Sequence, residues 1–135
     1  MAKITCIVVD FERKPKVVQI EDELEAYQKA VGGYIEVVYP FEDPVGLVCN
    51  EDGIAMRLPL NRALYLEGEL RDQGELYDVI KGKFLIVGLT EEGFGDLSEE
   101  LQNKYLKRFA SPEFFFNMNG KLQVYKGKTR MVSKL

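Results

Sequence analysis

Histidine and tryptophan are both missing from this chain of 135 residues, and cysteine occurs only twice. The missing histidine excludes Ser-His and Cys-His nucleophilic pairs, His-ligated zinc or iron, and the usual proton shuttle near neutral pH. Cys6 and Cys49 each sit inside an apolar run, so buried reduced thiols are the plain reading, with a bond between them left open. Long apolar stretches are also missing: runs such as Phe84 to Val87 are far too short to cross a bilayer, and no membrane association is expected. The first residues read as a strand and lack a cleavable apolar segment, so export is not expected and the cytoplasm is the expected location. Acid, finally, is missing from one end. Residues 114 to 135 hold Lys121, Lys126, Lys128, Arg130 and Lys134 and no carboxylate, while the first 113 residues carry 13 cations against 22 anions.

What is present has the balance of a globular domain, 46% hydrophobic and 30% charged, in a chain long enough to bury one core without disulfides or metals. Ile4 to Val9 and Lys16 to Ile20 predict a hairpin joined by the charged turn Asp10 to Lys14. From Glu21 the apolar positions change to helical spacing at Leu24, Tyr27 and Val31. Acids crowd the first turn and Gly32-Gly33 supplies a left-handed stop, which predicts a helix over 21–31. Tyr34 to Tyr39 alternates as a strand, with Ile35, Val37 and Tyr39 on one face and Tyr34, Glu36 and Val38 on the other. Val45 to Cys49 is a further strand closed by the turn Asn50 to Gly53, with pairing expected to resume over Ile54 to Arg57.

Leu60 to Leu66 predicts a short helix or turn, and Arg71 to Gly74 a loop. Val79 to Leu89, turned or bulged at Gly82, leads into a central strand at Phe84 to Leu89. Leu97, Leu101, Tyr105 and Phe109 form the apolar stripe of a second helix, with Asp96 as the expected cap and Glu99 completing a capping box. Asn119-Gly120 between two β-favouring runs signals a hairpin with a type I′ turn. Three consecutive phenylalanines, Phe114 to Phe116, cannot share one face of a strand, so at least one packs on a helix or meets a partner. The expected fold is α+β: a single domain with a mixed or mostly antiparallel sheet, two principal helices and an appended C-terminal β-hairpin. The expected organisation is a core over 1–110, the hairpin over 111–126 and a basic, flexible tail over 127–135.

Four segments follow one another in order: Gly-Gly-Tyr-Ile-Glu-Val-Val, Asn-Glu-Asp-Gly, Leu-Pro-Leu-Asn-Arg-Ala and Ile-Lys-Gly-Lys-Phe-Leu-Ile-Val-Gly. This order resembles the small bacterial, plasmid and phage proteins grouped as domain of unknown function 3846, over roughly residues 3 to 109. The resemblance implies a bacterial or mobile-element setting and no particular chemistry, since likeness of fold does not transmit activity.

The patterns that carry chemistry are weak. Gly32-Gly33 precedes a strand, whereas phosphate loops place glycines before a helix. Asn50 to Gly53 lacks the ligand spacing of a calcium loop and reads as a turn. Glu91-Glu92 and Glu99-Glu100 are explained by a loop and a helix start. Asn61-Arg62 is the better pair, because arginine offers a planar donor fork to a carboxylate or phosphate. Its plainer reading is a capping Asn and a surface Arg, or an Arg62 that pairs internally with Glu36 or Asp52. Glu36, beside Tyr34, lines a wet groove or a solvated strand face. The candidate binding residues are therefore Tyr34, Glu36, Asn50, Asp52, Asn61 and Arg62. No catalytic residue, metal or cofactor is expected.

Composition and charge favour a non-enzymatic intracellular accessory protein that binds another protein or itself, its acidic body being able to imitate nucleic acid toward a DNA-handling enzyme. The alternative is a small-molecule or nucleotide-binding domain that takes a small anionic ligand near Tyr34, Glu36, Asn61 and Arg62. Enzymes built from carboxylates and arginine alone come third. Nucleic acid is expected to bind only weakly, through the basic tail.

Overall fold

The computed structural model describes residues 2–65 and 76–127. The expected loop at Arg71 to Gly74 and the tail beyond Gly127 lie outside the described residues. The central sheet runs in the order β2-β1-β7-β4-β3, with β8 added at the end of β7, and every pairing in it is antiparallel. Its strands are β1 (Lys3–Val9), β2 (Lys16–Glu21), β3 (Ile35–Val38), β4 (Val45–Asn50), β7 (Phe84–Thr90) and β8 (Gly93–Gly95). Among the described residues two separate ribbons accompany it: β5 (Leu60–Tyr65) with β6 (Leu76–Lys81), and β9 (Glu113–Met118) with β10 (Lys121–Lys126). The helices are α1 (Leu24–Val31) and α2 (Glu99–Arg108). The class is α+β, as the sequence implies.

The near-continuous apolar runs of β1, β4 and β7 follow from burial of the central sheet on both faces. On one face Cys6, Val48, Leu85 and Val87 pack against Tyr27 and Val31 of α1. On the other, Ile7, Val9, Leu47, Cys49, Phe84 and Ile86 pack against Leu64 and Ile80 of the β5-β6 ribbon and against Tyr105 and Phe109 at α2. Side chains such as Leu47, Phe84 and Ile86 are wholly excluded from solvent, each contributing about 1.5–3 kcal/mol by burial. The alternation leaves Cys6 and Cys49 in clusters on opposite faces, and both thiols are free.

Helix α1 ends as expected at Gly32, whose φ of 81° lets its N–H return to the Gln28 carbonyl. It starts three residues later than the sequence suggests, because Glu21 is still paired with Lys3 in the β1-β2 ladder. Leu24, placed by periodicity on the buried stripe, is 57% exposed. Helix α2 starts at Ser98, whose Oγ accepts the Leu101 N–H at 3.2 Å. The expected cap, Asp96, turns instead to β1, where Oδ1 accepts the Thr5 N–H at 2.6 Å.

Two further expectations are corrected. Ile54 to Arg57 is a run of turns, because Met56, Arg57 and Leu58 donate back to Asp52, Ile54 and Gly53 rather than across to a strand. Leu60 to Leu66 is no helix, since Leu60–Tyr65 is strand β5. The register of β5 against β6 shifts between Leu60 and Arg62, which places a β-bulge at Asn61. The bulge lets the consecutive side chains Asn61 and Arg62 turn inward together, while Leu64 faces the sheet and Ala63 lies against β9, so that all four are buried. The polar pair that suggested an exposed helix start is thus an interior feature.

Asn119 and Gly120 have φ of 53° and 80°, the two positive values a type I′ turn requires, and they join β9 to β10. The hairpin is anchored where it leaves the body. Glu113 Oε1 accepts the N–H of Ala63 on β5 at 2.9 Å, and the Gly127 N–H donates to the Pro112 carbonyl at 2.8 Å.

Candidate functional site

Four of the six residues singled out from the sequence come together at one corner of the sheet. Glu51, directly after β4, donates its N–H to the Tyr34 carbonyl at 2.8 Å, which joins the start of β3 to the turn after β4. Asn50 organises this corner. Its Nδ2 donates to the Val31 carbonyl at the end of α1 and to the Met56 thioether, while its Oδ1 accepts the Asp52 N–H at 2.7 Å. Gly33 permits that arrangement, because a Cβ there would stand 2.8 Å from Asn50 Nδ2. Glu36 faces Cys49 across the β3-β4 ladder, and the Cys49 thiol lies 3.7 Å from the Glu36 carbonyl oxygen.

Beside the corner lies a cleft of about 110 Å³ whose lining includes Glu36, Cys49, Asn50, Ile54, Asp78 and Lys81. Its rim is acidic: Glu36, Glu51 and Asp78 are exposed, and Asp52 stands exposed in the adjoining turn. The cation of Lys81 is turned onto the Val79 carbonyl at 2.9 Å. Around the same corner three large apolar side chains face solvent, Tyr34 at 67%, Ile54 at 76% and Met56 at 50% exposure. Burial, then the negative charges of Glu36 and Asp78, push the pKa of the Cys49 thiol in the cleft lining up to about 12, against Lys81. Among the described residues no three His, Cys, Asp or Glu side chains are grouped to hold a metal.

Asn61 and Arg62 do not join this corner. Both are wholly buried, and their polar atoms are consumed internally. Arg62 donates from Nε and Nη2 to the Phe109 carbonyl, from Nη2 to the Arg13 carbonyl, and from Nη1 to the carbonyl and side-chain oxygens of Asn61. All five guanidinium N–H groups are thereby used. The Asn61 amide nitrogen in turn donates to the carbonyls of Val9 and Gly82 at 3.0 and 2.9 Å. Arg62 therefore reaches neither Glu36 nor Asp52 through these bonds; it ties the turn after β1, the bulge of β5 and the end of α2 into one unit. Burial lowers its pKa, against the attraction of Glu113 and Asp10.

Sequence reasoning missed Ile54, Met56 and Asp78 as parts of the corner. The signal for the first two was present, since apolar residues directly after an Asn-Glu-Asp-Gly turn that neither pair nor cap have no interior to enter.

The central antiparallel sheet is buried on both faces, and the acidic corner with its exposed apolar side chains lies at its β3 edge. The family model for Domain of unknown function (DUF3846) matches residues 4–110, and the chain belongs to that family. The corner lies wholly within the matched segment, whereas the β9-β10 hairpin lies outside it. No curated protein and no solved structure matches the chain.

Proposed function

We propose that this is a non-enzymatic accessory protein of a bacterium or mobile element, acting in the cytoplasm, that binds a partner protein at the Tyr34–Glu36–Asn50–Asp52 corner. The observation that carries this reading is the exposed trio Tyr34, Ile54 and Met56 set beside four exposed carboxylates. Single exposed apolar side chains need no explanation, but several set around one corner beside mostly acidic residues are what a protein interface presents. The matching partner surface is apolar at its centre and basic at its edge. Asn50, held by three bonds, keeps the two turns of the corner in register, so little ordering is left to the moment of binding.

The size of the cleft speaks against the small-molecule alternative. At about 110 Å³ it falls below the roughly 300–1,000 Å³ typical of pockets that enclose a metabolite or nucleotide. Its negative rim also disfavours an anion. Thermal unfolding against a panel of nucleotides and metabolites separates the two readings. The protein-binding reading expects no reproducible rise in Tm, and a rise abolished by Glu36→Ala would transfer the site to a small ligand. The direct test is retention of a partner by the wild-type chain and its loss on Ile54→Asp with Met56→Asp.

A further inference from the structure

The β9-β10 hairpin lies outside the family segment and contributes nothing to the acidic corner. We propose that its aromatic face is a stacking platform for single-stranded nucleic acid. In its register Phe116 faces Gln123, Phe114 faces Tyr125 and Met118 faces Lys121, so these six side chains share one side of the ribbon. Phe116 is 50% and Tyr125 58% exposed. They are diagonal neighbours, a relationship that separates residues by about 7–8 Å. Stacked nucleotides rise about 3.4 Å along one strand of a duplex, so two rings at roughly twice that distance each take a base only from a strand that is unstacked and extended. Gln123, beside both rings, offers an amide to base edges.

The charge of the ribbon matches such a ligand. Lys121 shares the aromatic face, Lys126 is exposed on the reverse side opposite Glu113, and no acid occurs from residue 114 onward. The acid at the start of β9, Glu113, is 3% exposed with Oε1 on the Ala63 N–H, so its charge is withdrawn from the surface. Repulsion from the acidic body is screened over about 8 Å at physiological salt. On this reading the ribbon supplies the π faces that make the binding strand-selective. An apolar protein segment would also cover the rings, but a face of exposed aromatics, an amide and a lysine with no carboxylate matches a polyanion carrying flat bases better.

Fluorescence anisotropy of the full chain with a labelled thymidine oligonucleotide of about 15 nucleotides tests this at about 50 and 200 mM salt. The oligonucleotide is expected to bind, to weaken with salt, and to bind at least tenfold better than a duplex of equal length. Phe116→Ala with Tyr125→Ala is expected to weaken binding at least tenfold. Phe116→Leu with Tyr125→Leu, which keeps apolar bulk on the ribbon, should weaken it as much, because leucine has no π face. The proposal is overturned by no binding at low salt, by equal binding of duplex and single strand, or by an alanine pair that binds like wild type. It is equally overturned if the leucine pair retains full binding, which would mark a plain apolar contact of the protein–protein kind. Ile54→Asp with Met56→Asp should leave oligonucleotide binding intact, so this proposal and the protein-binding corner fail independently.

Discussion

Arg62 and the carbonyl of Phe109 meet twice, through Nε at 3.3 Å and Nη2 at 3.1 Å, although they are 47 residues apart in the chain. Phe109 is the C-cap of α2, where helical carbonyls lack intrahelical partners and the dipole is negative. A wholly buried guanidinium placed there satisfies the helix end and finds its own compensation. Because the same group also holds the Arg13 carbonyl and Asn61, it locks three segments that are distant in sequence.

Replacing Arg62 by alanine is therefore expected to destabilise the fold by about 3–5 kcal/mol, leaving buried acceptors without donors and a cavity behind. Arg62→Lys should recover little, since an ammonium cannot present the fork that serves these acceptors. Urea unfolding measures both. A loss below about 1 kcal/mol for alanine would show that the cluster is not the structural tie described.

Glu113 gives the opposite sign. Burial raises its carboxyl pKa above the ordinary 4.5, against the Ala63 N–H and the charges of Arg62, Lys126 and Arg108. A carboxyl raised in the folded state contributes stability that is full below the unfolded value and is lost as pH rises through the folded one. Glu113→Gln keeps an acceptor for Ala63 and removes the ionisable group. The variant is expected to be as stable as wild type or more so at pH 7, with a flatter stability profile just above pH 4.5. Glu113→Ala, which strands the Ala63 N–H, should lose about 1–3 kcal/mol. Stability measured across pH distinguishes the three proteins.

Asp43 contributes to the acid limb. Hydrogen bonds from Lys104 Nζ at 2.6 Å and Tyr105 Oη at 2.7 Å hold its carboxyl below the ordinary 3.8. That contribution is present above pH 3.8 and disappears as pH falls through the folded pKa. Lys104 is largely exposed, so the ion pair itself contributes little, and most of the effect rests on the link to the buried Tyr105. Asp43→Asn should lower stability at neutral pH by about 1 kcal/mol and make acid unfolding less steep. An unchanged acid limb would contradict the assignment.

Burial pushes the thiols of Cys6 and Cys49 up to about 12. At pH 8 only about one part in ten thousand of each is thiolate. Neither should react with a disulfide reagent in the native protein within the time that both react in urea. Rapid native labelling of Cys49 would mean that the cleft opens.

The runs Ile4 to Val9, Val45 to Cys49 and Phe84 to Leu89 announced the central strands because a sheet buried on both faces needs apolar residues at successive positions. Gly32 and the Asn119-Gly120 turn were readable because their backbone conformations restrict residue choice. Strand β5 was not, because a bulge reverses the usual alternation and conceals Asn61 and Arg62 in the interior. The cap of α2 was misplaced by two residues for a related reason: Asp96 has the right chemistry, but the Thr5 N–H of β1 claims it. At the candidate site, Tyr34, Glu36, Asn50 and Asp52 share a corner because the turn after β4 folds onto the start of β3, whereas Asn61 and Arg62 had only proximity in sequence to recommend them.

Quantitative capture from a bacterial lysate tests whether the acidic and apolar corner binds a protein. The immobilised wild-type chain is compared with Ile54→Asp with Met56→Asp, with Glu36→Lys together with Asp78→Lys, and with the hairpin pair Phe116→Ala and Tyr125→Ala. A protein is expected to be retained by the wild type and by the hairpin variant, lost with either corner variant, and released by raised salt, with Tm preserved in all four chains. Identical sets of retained proteins on wild-type and corner-variant chains would contradict it.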